Sequence, residues 1–233
     1  MKTLAIDTST DTLGVALVDE DKVIGEIITN VKKNHSVRAM PAVETLLKDC
    51  GMKPKDLERI VVAKGPGSYT GVRIGVTIAK TLSWSLNIPL VGVSSLEVLA
   101  ANGRFFDGYI SPLFDARRQQ VYTGLYKYKD KLVEVNADVN ILNEAWATQL
   151  KELDQKILFV GNDVPLHREI LTHILGEKAC FSEIVTHNPR PSELALIGMN
   201  KQPEEAHSLV PNYIRLAEAE ANWLASQSKM SER

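Results

Sequence analysis

Cysteine is scarce. Cys50 and Cys180 are the 2 cysteines in 233 residues, and they form no CxxC pair. That excludes a zinc ribbon and a dithiol redox motif, and it suits a reducing, cytoplasmic location. No run approaches the ~20 apolar residues a membrane-spanning helix needs. The opening MKTLAIDTST reads neither as a signal peptide nor as an anchor. An excess of one charge is missing too: 27 Lys and Arg face 29 Asp and Glu, for a net charge of -2. The chain therefore lacks the positive field of a stand-alone RNA binder, and a partner would have to supply most phosphate contacts. The 5 histidines include no HxxxH or HExxH pair. With no GxSxG elbow either, neither a zinc site nor a serine triad is expected. The scattered acidic residues offer no pair assignable as general acid and base. The expectation is no catalytic residue and no metal ligand.

What is present is ordinary for a globular chain, with 44% hydrophobic and 24% charged residues. The length fits two medium domains or one large one. Residues 3–7, 13–18 and 22–29 read as a strand meander with short polar turns. A helix follows at 36–50, ended by Gly51 and Pro54. Then come a strand at 58–63, the loop GPGSYTG, a helix at 71–86, a strand at 88–93 and a short helix opened by the S-x-x-E capping box at Ser94–Glu97. The second half restates this order. Strands are expected at 109–114, 120–126 and 131–138, a helix at 143–153, a strand at 156–160, a helix at 165–175, a short strand at 179–184 and a helix from Ser192. A strand ending in aspartate and followed by a turn occurs twice, at Asp7 and at Asp115. This pseudo-repeat predicts an α/β protein with two similar lobes, 1–104 and 105–233.

Two motifs have a functional and a structural reading. Asp7-Thr8-Ser9-Thr10 puts a carboxylate and hydroxyls at a strand end, a set that holds hydrated Mg²⁺ and phosphate; the same residues also cap turns. Gly65-Pro66-Gly67-Ser68-Tyr69-Thr70-Gly71 precedes a helix, whose N-terminus favours anions. It lacks the GK[ST] ending of a Walker loop, and it equally suits a tight crossover packed against a neighbour. The helix after it carries two apolar faces. Val72, Val76, Ala79, Leu82 and Leu86 form one; Ile74, Ile78, Thr81 and Ser85, with Trp84 nearby, form the other. A helix lying on a sheet needs only one such face. The 36–50 helix also has few charges around Met40, Val43 and Leu47. Together the two helices predict a partner surface, which would need ~800 Å² per partner to be specific.

The segments LAIDTST, NHSVRAMPAVETLL, VVAKGPGSYTGVRIGVTIAKTLSW, IPLVGVSSLEVLA, LFDARRQQVY and VPNYIRLAEAE together resemble the TsaB (older name YeaZ) family. The likeness is dense over about residues 1–125. It implies the actin/Hsp70-like ASKHA fold and a role in forming threonylcarbamoyladenosine at position 37 of ANN-decoding tRNAs. It also implies a catalytic paralogue, TsaD, bound through the two helices, and an ATPase, TsaE. The interface expected from it comprises His35, Met40, Val43, Leu47, Arg73, Ile74, Ile78, Thr81 and Trp84. Where TsaD carries the metal-binding run HMEGH, this chain has Ser95 and Leu99. Ser192 falls near TsaD's later metal aspartate, and Gly161-Asn162-Asp163-Val164-Pro165 stands for its adenosine loop. The resemblance thus implies a subunit with no chemistry or intrinsic cofactor of its own, touching tRNA only through the complex. Three rivals remain. One is an ASKHA nucleotide hydrolase using Asp7 and Asp115 around Mg²⁺, with Asp7, Thr8, Ser9 and Asp115 as the candidate cofactor-binding residues and ATP or ADP weakly held at a subunit junction. The second is a metalloprotease, against which the absent histidine pair argues. The third is a homodimer through the same helical face.

Overall fold

The structure, a computed structural model, describes residues 1–214. Residues 215–220 of the late VPNYIRLAEAE motif lie outside that range. Two five-stranded sheets share one topology. The first contains β1 (Thr3–Asp7), β2 (Thr12–Asp19), β3 (Lys22–Asn30), β4 (Arg59–Ala63) and β5 (Leu90–Val93), in the order β3-β2-β1-β4-β5. The second contains β6 (Tyr109–Asp115), β7 (Gln120–Tyr128), β8 (Leu132–Leu142), β9 (Ile157–Val160) and β10 (Ala179–Phe181), in the order β10-β9-β6-β7-β8. In each, three antiparallel strands are followed by two parallel ones. The repeat expected from the two strand–aspartate–turn units is therefore a repeat of whole sheets.

The helices explain why β1 is buried on both faces. Leu4 and Ile6 join Ala39, Val43, Leu46 and Leu47 of α1 (Ala39–Asp49) and Val72, Val76 and Ala79 of α2 (Tyr69–Leu86). On the opposite face, Ala5, Ala16 and Val61 meet Leu194 and Ala195 of α6 (Pro191–Met199). α6 lies very close to this sheet. A Cβ on Gly198 would come 2.3 Å from a Val61 methyl, and one on Gly14 would come 3.2 Å from the Pro191 ring. In the second lobe, α4 (Asn143–Lys151) and α5 (Val164–Leu175) cover one face around Trp146 and Phe159. α3 (Ser95–Ala100) is shared between the lobes: Val98 enters the first sheet's cluster, while Leu96, Leu99 and Ala100 enter the second's with Ile110 and Tyr126.

The expected division at 104/105 needs one correction. The chain returns to the first lobe at α6 and stays there. Glu204 bridges to Leu90, Leu209 is buried in the first core, and the Asn212 amide donates to the Lys64 carbonyl at 2.6 Å. A mostly apolar helix such as PSELALIGM can bury itself on either sheet; the small residues Gly14, Ala5 and Ala16 make the first sheet the closer fit. The 36–50 helix also starts later than expected, because a 3-10 turn at His35–Val37 precedes it.

Candidate functional site

The two motifs read from sequence are packed against each other. Asp7 ends β1, and its Oδ1 accepts the Ser9 amide at 2.8 Å. Thr8 Oγ1 donates to the Gly71 carbonyl at 2.7 Å, and the Ser68 amide donates to the Ser9 carbonyl at 2.7 Å. The glycines make this approach possible. A Cβ would lie 2.2 Å from Ser9 O at Gly67, 2.1 Å from Thr8 O at Gly71 and 2.5 Å from Thr8 Oγ1 at Gly75. Ser68 caps α2 through the Gly71 amide at 3.3 Å. Before it, the Gly65 amide donates to Ser95 Oγ at 3.1 Å, and the Ser95 amide returns to the Gly65 carbonyl at 3.0 Å. The Gly65 and Ser68 amides and the space beside Gly67 and Gly71 are thus taken up by the β1–β2 turn and by α3. The bonded Gly65, Ser68 and Gly71 amides interrupt the continuous row of free amides that would cradle a phosphate.

The carboxylates proposed for Mg²⁺ have separate surroundings. Asp7 is 2% exposed, and burial pushes its carboxyl above the usual carboxylate range. Its Oδ2, Ser9 Oγ and His35 Nδ1 are buried without a hydrogen-bond partner, while His35 Nε2 lies 2.7 Å from the Thr10 carbonyl. Asp115 pairs within its own lobe, with His167 Nε2 at 3.0 Å from its Oδ1 and its amide donating to Asp163 Oδ2 at 2.9 Å. Burial raises the Asp163 carboxyl. Among the described residues, no group of three or more His, Cys, Asp and Glu is placed to hold a metal. The set Asp7, Thr8, Ser9 and Asp115 does not fit a magnesium–phosphate group, because its hydroxyl, amide and carboxylate atoms are either internally bonded or sealed in.

The positions that the resemblance sets against the paralogue's metal ligands are also closed. Ser95 and Leu99 are both 0% exposed, one hydrogen-bonded to the glycine loop and the other in the α3 core. Ser192 is buried in the first turn of α6. At Gly161 the backbone approaches Leu113 so closely that a Cβ would meet its carbonyl at 2.4 Å. Asn162 Nδ2 is bonded to Asn188 Oδ1 at 2.8 Å, and that oxygen also accepts Thr12 Oγ1 at 3.2 Å and Asn30 Nδ2 at 3.1 Å. These side chains clasp the two lobes together.

The helix faces divide the expected interface in two. Val43 and Leu47 belong to the first lobe's own core, and His35 is buried under the Thr10 turn. Those three are corrected: the Val43/Leu47 stripe on α1 faces β2, and His35, in the 3-10 turn before α1, is held against the Thr10 carbonyl. Ile78 also packs on that core, while Ile74 is half-buried. Met40, Arg73, Thr81 and Trp84 do face outward, Trp84 with 72% of its surface exposed. Tyr69, Arg73, Thr77, Thr81 and Trp84 give α2 an outer row at roughly four-residue spacing. Arg73 donates to the Tyr69 hydroxyl at 2.8 Å and lies over its ring, and Tyr213 stacks on the same ring at 5.0 Å.

Sequence reading missed a pocket between the lobes. It encloses about 450 Å³ and is lined by Lys64, Ser94, Glu97, Asp138, Lys201 and Glu204 among others. Ser94 caps α3, as the S-x-x-E pattern predicts, but Glu97 ion-pairs with Lys201 instead of completing the box. Ser94 and Tyr126 both donate to Asp138, whose carboxyl is raised by burial. These residues are too dispersed in sequence to form a motif.

Comparison with known proteins agrees with this architecture. The profile of the family described as "TsaD: tRNA N6-adenosine threonylcarbamoyltransferase" matches residues 22–223. The tRNA threonylcarbamoyladenosine biosynthesis protein TsaB of Bacillus subtilis is 62% identical over 228 residues, covering 97% of this chain and 100% of the relative. YeaZ from Pseudomonas aeruginosa superposes with a TM-score of 0.77 at 23% identity, covering 91% of this chain and 99% of that one. A ROK hexokinase from Thermus thermophilus superposes at 0.51 with 10% identity over 85% of this chain and 98% of its own, a likeness of fold alone. The fold is thus the ASKHA fold, and among the described residues no helix is long and apolar enough to cross a membrane. With a near-full-length relative at this identity, the chain belongs to the TsaB (YeaZ) family of tRNA threonylcarbamoyladenosine biosynthesis proteins, within the wider TsaD family.

Proposed function

We propose that this chain is a non-catalytic, activating subunit that docks a catalytic TsaD paralogue against the outer row of α2, in the cytoplasm, with TsaE joining the pair. The observation that carries the reading is the exposure of Trp84, with Tyr69, Arg73 and Met40, on the face of α1 and α2 away from their own sheet. Trp, Tyr and Arg are the residues that most often anchor interfaces, and a Trp left so open in a monomer lacks a packing role at home. Support for the non-catalytic half comes from Ser95 and Leu99, which stand sealed in the core where the paralogue's histidines would stand. Activation requires that this subunit bind one TsaD conformation better than another. Contact with tRNA is then indirect.

The test is Trp84→Glu, assayed by size-exclusion chromatography with purified TsaD. Truncating a central aromatic anchor costs ~2–4 kcal/mol, or about 30- to 1000-fold in affinity. The monomer stays folded, since Trp84 contributes nothing to the core. A complex unchanged by the substitution rejects the assignment of this face. The same face can pair with its own copy, so the variant is run alone as well; loss of a homodimer with the heterodimer intact would favour self-association.

A further inference from the structure

Within the described residues the chain crosses between the lobes twice. The first crossing runs from α3 through a 3-10 turn at Ala101–Gly103 to β6, and the second leads from β10 back to α6. Two such crossings make a hinge, and two-lobed folds close around ligands by turning about one. In this chain the crossings are fastened to each other. Asn102 Nδ2, on the first, donates to the carbonyls of Thr186 at 2.7 Å and Asn188 at 2.8 Å, on the second. Arg104 pairs with Glu193 of α6 at 2.6 Å. The Asn188 side chain then joins the lobes themselves. Its Oδ1 receives Thr12 and Asn30, paired neighbours on β2 and β3, and Asn162 from the loop after β9. A separate tie crosses the inter-lobe pocket, where Ser94 Oγ donates to Asp138 of β8.

From these contacts we infer that Asn188 is a latch that locks the two lobes into one rigid body, so that their cleft neither opens nor closes around a ligand. Turning about the crossings carries Asn162 away from Thr12 and Asn30, so it breaks at least one of the three bonds. At about fivefold in population per net hydrogen bond, the three together favour the latched arrangement roughly a hundredfold. α3 adds a second barrier. Leu96, Val98 and Leu99 are each 0% exposed, with Val98 packed in one lobe's core and the two leucines in the other's. Sliding one lobe on the other would uncover that apolar surface. The latch depends on an oxygen: all three side chains donate to Oδ1, so aspartate can replace Asn188 and alanine cannot. The consequence is a fixed two-lobed template for whatever binds it, and the inference stands apart from the docking reading above.

The experiment measures the distance between the lobes in the full chain by double electron–electron resonance. Cys50 and Cys180, the 2 native cysteines, are replaced by serine, and spin labels are placed at the exposed positions Lys55→Cys and Glu169→Cys, one in each lobe. A hinge rotation of about 15° displaces a label ~20 Å from the hinge by ~5 Å. With Asn188 intact a single narrow distance is expected, unchanged on addition of ATP with Mg²⁺. Asn188→Asp is expected to keep that distribution, and Asn188→Ala to broaden it about twofold or add a second distance. Asn162→Ala, which removes only the second lobe's donor, should broaden it too, and it stands in if Asn188→Ala fails to fold by circular dichroism. A wild-type distance that moves by ~5 Å with ATP and Mg²⁺ overturns the proposal. So does a set of variants in which alanine at 188 or 162 behaves like aspartate at 188.

Discussion

Gly71→Ala separates a packing role for the glycine loop from a ligand-binding one. Within the first turn of a helix, alanine is favoured over glycine by ~1 kcal/mol. Here the added Cβ would sit 2.1 Å from the Thr8 carbonyl oxygen, a backbone atom that cannot rotate away. Relief requires α2 and the β1–β2 turn to part by about 1 Å, since carbon and oxygen touch at roughly 3.2 Å or more. That movement stretches the 2.7 Å bond from Thr8 Oγ1 to Gly71 O and the 2.7 Å bond from the Ser68 amide to Ser9 O. Losing both costs ~2 kcal/mol, and the disturbed packing adds ~1–3 kcal/mol. Set against the helix gain, the net destabilisation is about 2–4 kcal/mol. For a chain of this size that lowers Tm by about 4–16 °C. Urea denaturation followed by circular dichroism measures it. Gly51→Ala is the control: its φ is +64°, yet nothing lies within 4 Å of the added Cβ, so only the backbone term of ~1 kcal/mol applies. A Gly71→Ala protein as stable as the wild type would refute the packing argument.

Two other substitutions probe the sealed positions. Burial raises the Asp7 carboxyl, so Asp7 favours folding in its neutral form, and that contribution is lost as pH rises from the ordinary carboxylate value through the raised one. Asp7→Asn cannot ionise and keeps an oxygen for the Ser9 amide; its stability relative to wild type should climb as the pH rises above the ordinary carboxylate value of about 4 in parallel urea melts. A constant difference would contradict the burial argument. Leu99→His restores a residue of the paralogue's histidine pair in a site that is 0% exposed. It should cost ~3 kcal/mol and add no zinc affinity, as read by thermal melts with and without zinc.

The repeat of sheets was legible in the sequence because each lobe opens with a strand, an aspartate and a polar turn, and because Gly51, Pro54 and Ser94 punctuate the helices. The role of individual apolar residues was not. Val43 and Leu47 look in sequence like Ile74 and Trp84, since core and interface both ask for apolar side chains at helical spacing. Only the register of α1 on β2 shows that the first two point inward. The home of α6 was hidden for a related reason: a short, mostly apolar helix carries no sign of which sheet it covers. The glycine loop and the Asp7 turn were each legible as tight turns, but their mutual packing is a contact between residues about 60 apart, which no local pattern encodes.

The central claim is that the chain acts through the outer face of α2 and does no chemistry of its own. The most direct measurement is threonylcarbamoyladenosine formation on tRNA by TsaD and TsaE, reconstituted without this chain, with it, with Trp84→Glu and with Asp115→Asn. The account predicts that the wild type and Asp115→Asn stimulate modification equally, while Trp84→Glu stimulates at least tenfold less. Full stimulation by Trp84→Glu together with loss in Asp115→Asn would contradict it.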